Sequence, residues 1–208
     1  MEYPLISCIC VTRNKPLMLE RAIQCFHAQT YPNKELIILY DDDDVATGFF
    51  LGNRPAVKNI RVICIPRSPD IKLGELRNIA IQAAGGTYVC QWDDDDWFHA
   101  SRLQYQFQQV ATSSYAGCIM TVWTIFDATV NKVYISNKRP GEGSIFCKKE
   151  VLLHTKYDNT SSGEEAPVID HLLTSGLLYT IEEVPWLYIY VYHGSNTWDH
   201  AHWKEIFK

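Results

Sequence analysis

Four aspartates in succession, Asp93–Asp96, are the strongest chemical signal in the chain. Carboxylates roughly 4 Å apart repel by about 4 kcal/mol at an effective dielectric of about 20. A solvated loop tolerates such a run, but this one directly follows an apolar stretch and is bracketed by Trp92 and Trp97. Hard oxygen ligands at this density suit magnesium or manganese. An ion held there would retain a diphosphate that a chain of formal charge -5 otherwise repels. Neither acidic run has the glycine and the final glutamate of an EF-hand loop. The second run, Asp41–Asp44, also ends an apolar stretch, where a carboxylate either accepts hydrogen bonds from a base or ribose or marks a turn. Arg77-Asn78 opens a helical pattern, and the Arg77 fork suits either a phosphate or an ion pair. His193-Gly194 closes the last apolar run, where the imidazole would reach a bound metal. Ser162-Gly163-Glu164-Glu165 fits a capping box, in which the glutamate folds back on its own helix, yet a carboxylate at a helix N-terminus also projects into a cleft. Asp170 competes with Glu165 as a base, and its apolar neighbours favour a structural ion pair. Walker A, GxGxxG and GxSxG motifs are lacking.

The elements that must position these residues alternate in period. Leu5–Thr12 reads as a buried strand. Asn14 caps a helix with Pro16 in its first turn and Leu19, Ala22, Ile23 and Phe26 on its apolar face. Tyr31-Pro32-Asn33 breaks it, and strands follow at Glu35–Tyr40 and Ile60–Ile65. Leu76, Ile79, Ala80 and Ala83 mark a helix that stops at Gly85-Gly86. A strand over Thr87–Trp92 and a helix carrying Leu103, Phe107, Val110 and Ala111 complete the first half. Such alternation builds a largely parallel sheet, whose ligands bind at the carboxyl ends of the strands, and both aspartate runs fall there. After Ser114 the pattern predicts strands near Cys118–Phe126, Val133–Ser136, Leu178–Glu183 and Leu187–Tyr192, with a helix near Glu164–Thr174. The expectation is one α/β domain with halves of about 1–112 and about 113–208. The 208 residues, 47% hydrophobic and 21% charged, exclude a disordered chain. The acidic balance gives no nucleic-acid surface. The apolar runs are too short to span a bilayer, and no secretory signal precedes Leu5. Seven cysteines without CxxC spacing read as reduced core thiols of a cytoplasmic protein. His200-Ala-His202, between Trp198 and Trp203, reads as packing.

Six stretches then match a known pattern in its order: Pro4–Asn14, Glu35–Asp41, Leu76–Ala80, Gly86–Trp97, Gly143–Lys149 and Glu164-Glu165. Together they resemble the family 2 glycosyltransferases, the inverting, nucleotide-sugar-dependent class with a GT-A fold. The resemblance implies a mixed, mainly parallel sheet flanked by helices. It assigns Asp41 to the nucleobase, with Tyr40 where the family carries an acidic residue, and places Thr12, Arg13 and Asn14 along the nucleotide pocket. Arg77, Asn78, Asp93 and Asp94 would complete the donor contacts. The DxD positions fall on Asp93 and Asp95, which would hold Mn2+ or Mg2+ together with His193. Glu165 would be the general base, a glutamate where the family has aspartate. The implied donor is a UDP-sugar. The acceptor would be a glycan or lipid-linked saccharide of bacterial polysaccharide or glycolipid synthesis, met by peripheral contact at the inner face of the membrane. A sugar nucleotidyltransferase is the second reading, weakened by the missing glycine-rich basic loop. A non-catalytic carbohydrate- or metal-binding module is the third, with Trp186, Trp198 and Trp203 stacking on sugars.

Overall fold

Short apolar runs separated by amphipathic segments fold into strands that helices return to the same sheet. The computed structural model describes residues 2–196. The chain runs β1 (Ile6–Val11), α1 (Pro16–His27), β2 (Lys34–Asp41), α2 (Val45–Gly52), β3 (Ile60–Ile65), α3 (Leu73–Ala83), β4 (Tyr88–Gln91), β5 (Trp97–Phe98) and α4 (Arg102–Ala111). It continues through β6 (Gly117–Met120), β7 (Thr124–Asp127), β8 (Lys132–Ile135), β9 (Phe146–Lys148), α5 (Lys149–Thr155), α6 (Ala166–Thr174), β10 (Leu178–Ile181) and β11 (Tyr188–Tyr192). Seven strands form one sheet in the order β10-β6-β9-β4-β1-β2-β3. Its pairings are parallel except the two made by β9, so the sheet is mixed and mainly parallel, as expected. A smaller sheet, β5-β11-β7-β8, packs beside it.

Period-two alternation sends β1 side chains to both faces. Cys8 and Cys10 join a core with α1, α4 and the small sheet, through Phe26, Phe107 and Ile125. Ile9 joins the opposite core with α3, α5 and α6, through Ala80, Leu152 and Ile169. Each core therefore draws on both halves of the sequence. None of the seven cysteines forms a disulfide, and Cys64 alone among them is exposed. Among the described residues no helix is long and apolar enough to cross a membrane.

Four local expectations are corrected. The single strand read near Cys118–Phe126 is two strands in different sheets, because Met120 and Trp123 donate their amides to the Ser144 and Ser136 hydroxyls at the crossing. Asn14 does not cap α1; it has a left-handed φ of 54°, and Lys15 takes the cap position. Helices α2 and α5 went unread, because VATGFFLG carries no 3.6-residue polar face and α5 has only 7 residues. The capping box does not form, since Glu165 makes no cap hydrogen bond and α6 begins at Ala166. Trp198, His200, His202 and Trp203 lie outside the described residues.

Candidate active site

The carboxyl ends of β1, β2 and β4 open into a cleft of about 550 Å³, closed from the other side by the segment before α6 and by β11. At its β2 end, the aspartates 41–44 are held by Arg13, Arg67 and the backbone around them. Asp41, buried, accepts from Arg13 at 2.6 Å and from Arg67 at 3.1 Å. Asp42 receives the Arg67 backbone amide at 2.9 Å, and Asp43 takes the Arg13 fork at 2.7 and 2.8 Å. Asp44 caps α2 through Thr47 at 2.9 Å and holds the Asn14 amide at 2.7 Å. Asn14 is thus tied down by its backbone, while Thr12, Arg13 and Tyr40 line the cleft.

The run 93–96 is divided in the same way. Asp93 meets Arg77 Nη2 at 3.0 Å and Gln91 Nε2 at 3.1 Å. Asp94 accepts from the Thr12 hydroxyl at 2.6 Å, with Lys15 Nζ 3.5 Å away. Asp95 takes Lys15 Nζ at 2.7 Å and faces His193 Nε2 at 3.3 Å, and Arg21 donates to its carbonyl. Asp96 turns inward to the Tyr188 hydroxyl at 2.6 Å and the Val191 amide at 3.0 Å. These partners set the charge states. Burial and the Asp95 charge push the Asp94 carboxyl up to about 6. Burial also acts on Asp95, but His193 and Lys15 outweigh it and hold that carboxyl at about 2. Asp96 is raised well above the usual range by burial and by the neighbouring aspartates.

Metal fit is decided by what converges. Asp95 and His193 present an oxygen and a nitrogen to one point. The imidazole Nε2–H donates to Asp95 Oδ2 at 3.3 Å, and Ser195 Oγ, 2.9 Å from His193 Nδ1, would hold the proton on that nitrogen once Nε2 turned to a metal. Asp93 points instead to Arg77 and Gln91, and among the described residues no three His, Cys, Asp or Glu side chains converge. A carboxylate–imidazole pair of this kind fits an ion that takes its remaining ligands from water and phosphate oxygens.

The third part of the cleft centres on Arg77, buried in the first turns of α3. Its Nη1 bonds Glu165 and lies 2.9 Å from Glu164 Oε1. That Glu164 approach is close enough for an ion pair but lacks hydrogen-bond alignment, and neither Glu164 oxygen has a hydrogen-bond partner. Burial raises Glu164 to about 7 against the pull of Arg77. Burial raises Glu165 as well, but Arg77 and Gln91 prevail and lower it.

Of the predicted residues, Thr12, Arg13, Asp41, Arg77, Asp93, Asp94, Asp95 and Glu165 line this cleft, and His193 touches Asp95 at its edge. Arg77 meets carboxylates, the ion-pair role of the two that its fork suits. Asn78 faces away, bonding the Tyr157 carbonyl at 2.9 Å and amide at 3.0 Å. Trp186 packs on His99 outside the cleft. Asp170 is exposed on α6 with no ion pair, so the structural pairing expected of it is absent among the described residues. Sequence reasoning missed Lys15, Arg67 and Gln91. Arg67 follows β3 at a strand's carboxyl end and Gln91 interrupts an apolar strand, which are the signals that would have found those two; no sequence signal marks Lys15.

The profile described as Glycosyl transferase family 2 matches residues 7–169. The chain is 24% identical over 163 residues to the UDP-Glc:alpha-D-GlcNAc-diphosphoundecaprenol beta-1,3-glucosyltransferase WfaP of Escherichia coli, covering 76% of this chain and 64% of that protein. It spans less than two thirds of the length of the curated relatives it matches. S. aureus TarS 1-349 in complex with UDP has a TM-score of 0.68 at 14% identity, covering 95% of this chain and 68% of that one. Mannosyltransferase PcManGT of Pyrobaculum calidifontis, in complex with GDP-Man and Mn2+, has a TM-score of 0.64 at 13% identity, covering 97% and 60%. Those likenesses show the fold.

Proposed function

The chain belongs to glycosyl transferase family 2, and from that premise we propose that it transfers a sugar, with inversion, from a nucleoside-diphosphate donor to an acceptor hydroxyl. The observation that carries this reading is Glu165, a carboxylate held anionic by Arg77 in the cleft that also contains Asp41 and the Asp95–His193 pair. Asp41 accepts from the nucleobase, with Arg13 and Arg67 fixing its orientation. Asp95 and His193 would hold Mn2+ or Mg2+, an ion that would supply Lewis-acid stabilisation to a departing diphosphate. Lys15 keeps Asp95 charged, and Asp93 and Asp94 line the donor's path. Glu165 removes the acceptor proton as its oxygen attacks the anomeric carbon, a role worth about 10²–10⁴ in rate.

The donor is a UDP-sugar in this reading, in keeping with the UDP and UDP-Glc in the names of TarS and WfaP, while the GDP-Man of PcManGT supplies the competitor. The acceptor is a glycan or lipid-linked saccharide of bacterial polysaccharide or glycolipid synthesis, reached by peripheral contact at the membrane's inner face. The two halves act as one domain around the cleft. The deciding experiment measures nucleoside diphosphate released from UDP-glucose, UDP-GlcNAc and GDP-mannose with Mn2+. Glu165→Gln should cost about a hundredfold or more in turnover and leave UDP affinity unchanged, because base catalysis is needed only in the transition state. No turnover of any donor, or full turnover in Glu165→Gln, would sink the assignment. GDP binding far more tightly than UDP would overturn the uridine preference.

A further inference from the structure

Gln91 ends β4 between Cys90 and Trp92 and is only 4% exposed. A glutamine buried in an apolar strand is tolerated when its amide is bonded. Its Nε2 donates to Glu165 Oε1 at 3.2 Å and to Asp93 Oδ2 at 3.1 Å, whereas Oε1 has no hydrogen-bond partner. The amide orientation follows from chemistry, since an amide oxygen between two carboxylates would meet only acceptors. Arg77 spans the same two groups, with Nη1 on Glu165 and Nη2 on Asp93 at 3.0 Å. That single cation is also shared with Glu164 at 2.9 Å. Gln91 is the donor that Glu164 does not share.

We propose that Gln91 is a positioning residue for proton transfer. Its amide bridges Asp93 and Glu165, fixing the Glu165 carboxylate beside the aspartate run in one orientation as the acceptor arrives. The proposal rests on Glu165 being the base. Removal of the bridge frees the Glu165 carboxylate to rotate and raises its proton affinity, while Asp93 keeps its Arg77 contact and the other groups assigned to the nucleotide keep all of theirs.

Two variants test it. Gln91→Met keeps length and volume and removes the donors; Gln91→Glu keeps the shape and replaces donors with an acceptor. Each is assayed for UDP release from the panel's fastest UDP-sugar with Mn2+, from about pH 5 to about pH 9, with UDP affinity by calorimetry. Gln91→Met should lose about tenfold in turnover, keep its UDP affinity and move the acidic limb of the pH–rate profile upward. Gln91→Glu should lose more. On a Glu165→Gln background, Gln91→Met should cost nothing further, since the group it positions is gone. Turnover and limb equal to wild type in either variant would overturn the proposal. So would a parallel loss of UDP affinity, or the same fold-loss on both backgrounds. Full turnover in Glu165→Gln strikes the base assignment itself. Normal Gln91 variants beside an impaired Glu165→Gln strike only the proposal.

Discussion

The aspartates of the two runs fan out to partners from several elements, with Arg13 shared by Asp41 and Asp43 and Lys15 by Asp94 and Asp95. Asp93 to Asp96 go in order to α3, the residue after β1, the β11 end and the β11 strand. This division gives successive residues different jobs, while the remaining repulsion shows in the raised Asp94 and Asp96 carboxyls. Glu164 lacks such an outlet. Its folded carboxyl sits at about 7 against an ordinary 4.5, so the folded state keeps a proton that the unfolded chain has released. Stability therefore falls as pH rises through that interval and levels above it. Glu164→Gln should accordingly melt higher than wild type at about pH 8, with the gap closing below about pH 4.5; thermal unfolding at several pH values reads this directly. A gap that widens on acidification would contradict the assignment. Asp170→Asn should change neither turnover nor stability by more than about 0.5 kcal/mol, as for other exposed positions without partners.

At the scale of elements, the base arrives at Arg77 because the loop after α5 is laced to α3. Gly74 donates its amide to the Thr160 carbonyl at 3.2 Å, Lys72 to Asn159 at 2.8 Å, and Asn78 pins both backbone groups of Tyr157. A Cβ on Gly74 would meet the Asp158 carbonyl at 1.8 Å, so only glycine permits that approach. Asn78→Ala strips partners from the backbone of buried Tyr157, at a cost of about 1–3 kcal/mol. The melting temperature should fall while UDP affinity stays near wild type, as calorimetry and unfolding on one preparation would show. A large loss of UDP affinity with normal stability would instead return Asn78 to the donor site. Helix and strand periods in the first half were legible in the sequence because α1 and α3 show apolar faces over 12 and 11 residues. Strands of 4 residues such as β6 and β7 carry too little pattern to reveal the crossing between sheets.

Across the whole molecule, the cleft is built from both halves: Thr12, Asp41 and Arg77 from the first, Glu165 and Tyr190 from the second. Donor binding should therefore stabilise the chain as a unit. UDP with Mn2+ at 100 times its dissociation constant should add about 2.7 kcal/mol, and a chelator or Asp95→Asn should remove most of that gain in thermal shift. An equal shift without the ion would end the case for metal dependence. The sequence by itself determined the alternating order of strands and helices in the first half, the placing of both aspartate runs at strand ends, and the family to which the chain belongs. Those are properties of local period and contiguous residues. Tertiary structure decided which carboxylate meets which partner: Arg77 with three carboxylates, Asn78 with a loop, Gln91 between Asp93 and Glu165. Apart from Gln91 and Asp93, which are 2 positions apart, those pairings join residues 16 to 88 positions apart. No spacing along the chain encodes them, because they exist only once two sheets and the loop before α6 have closed over the same cleft.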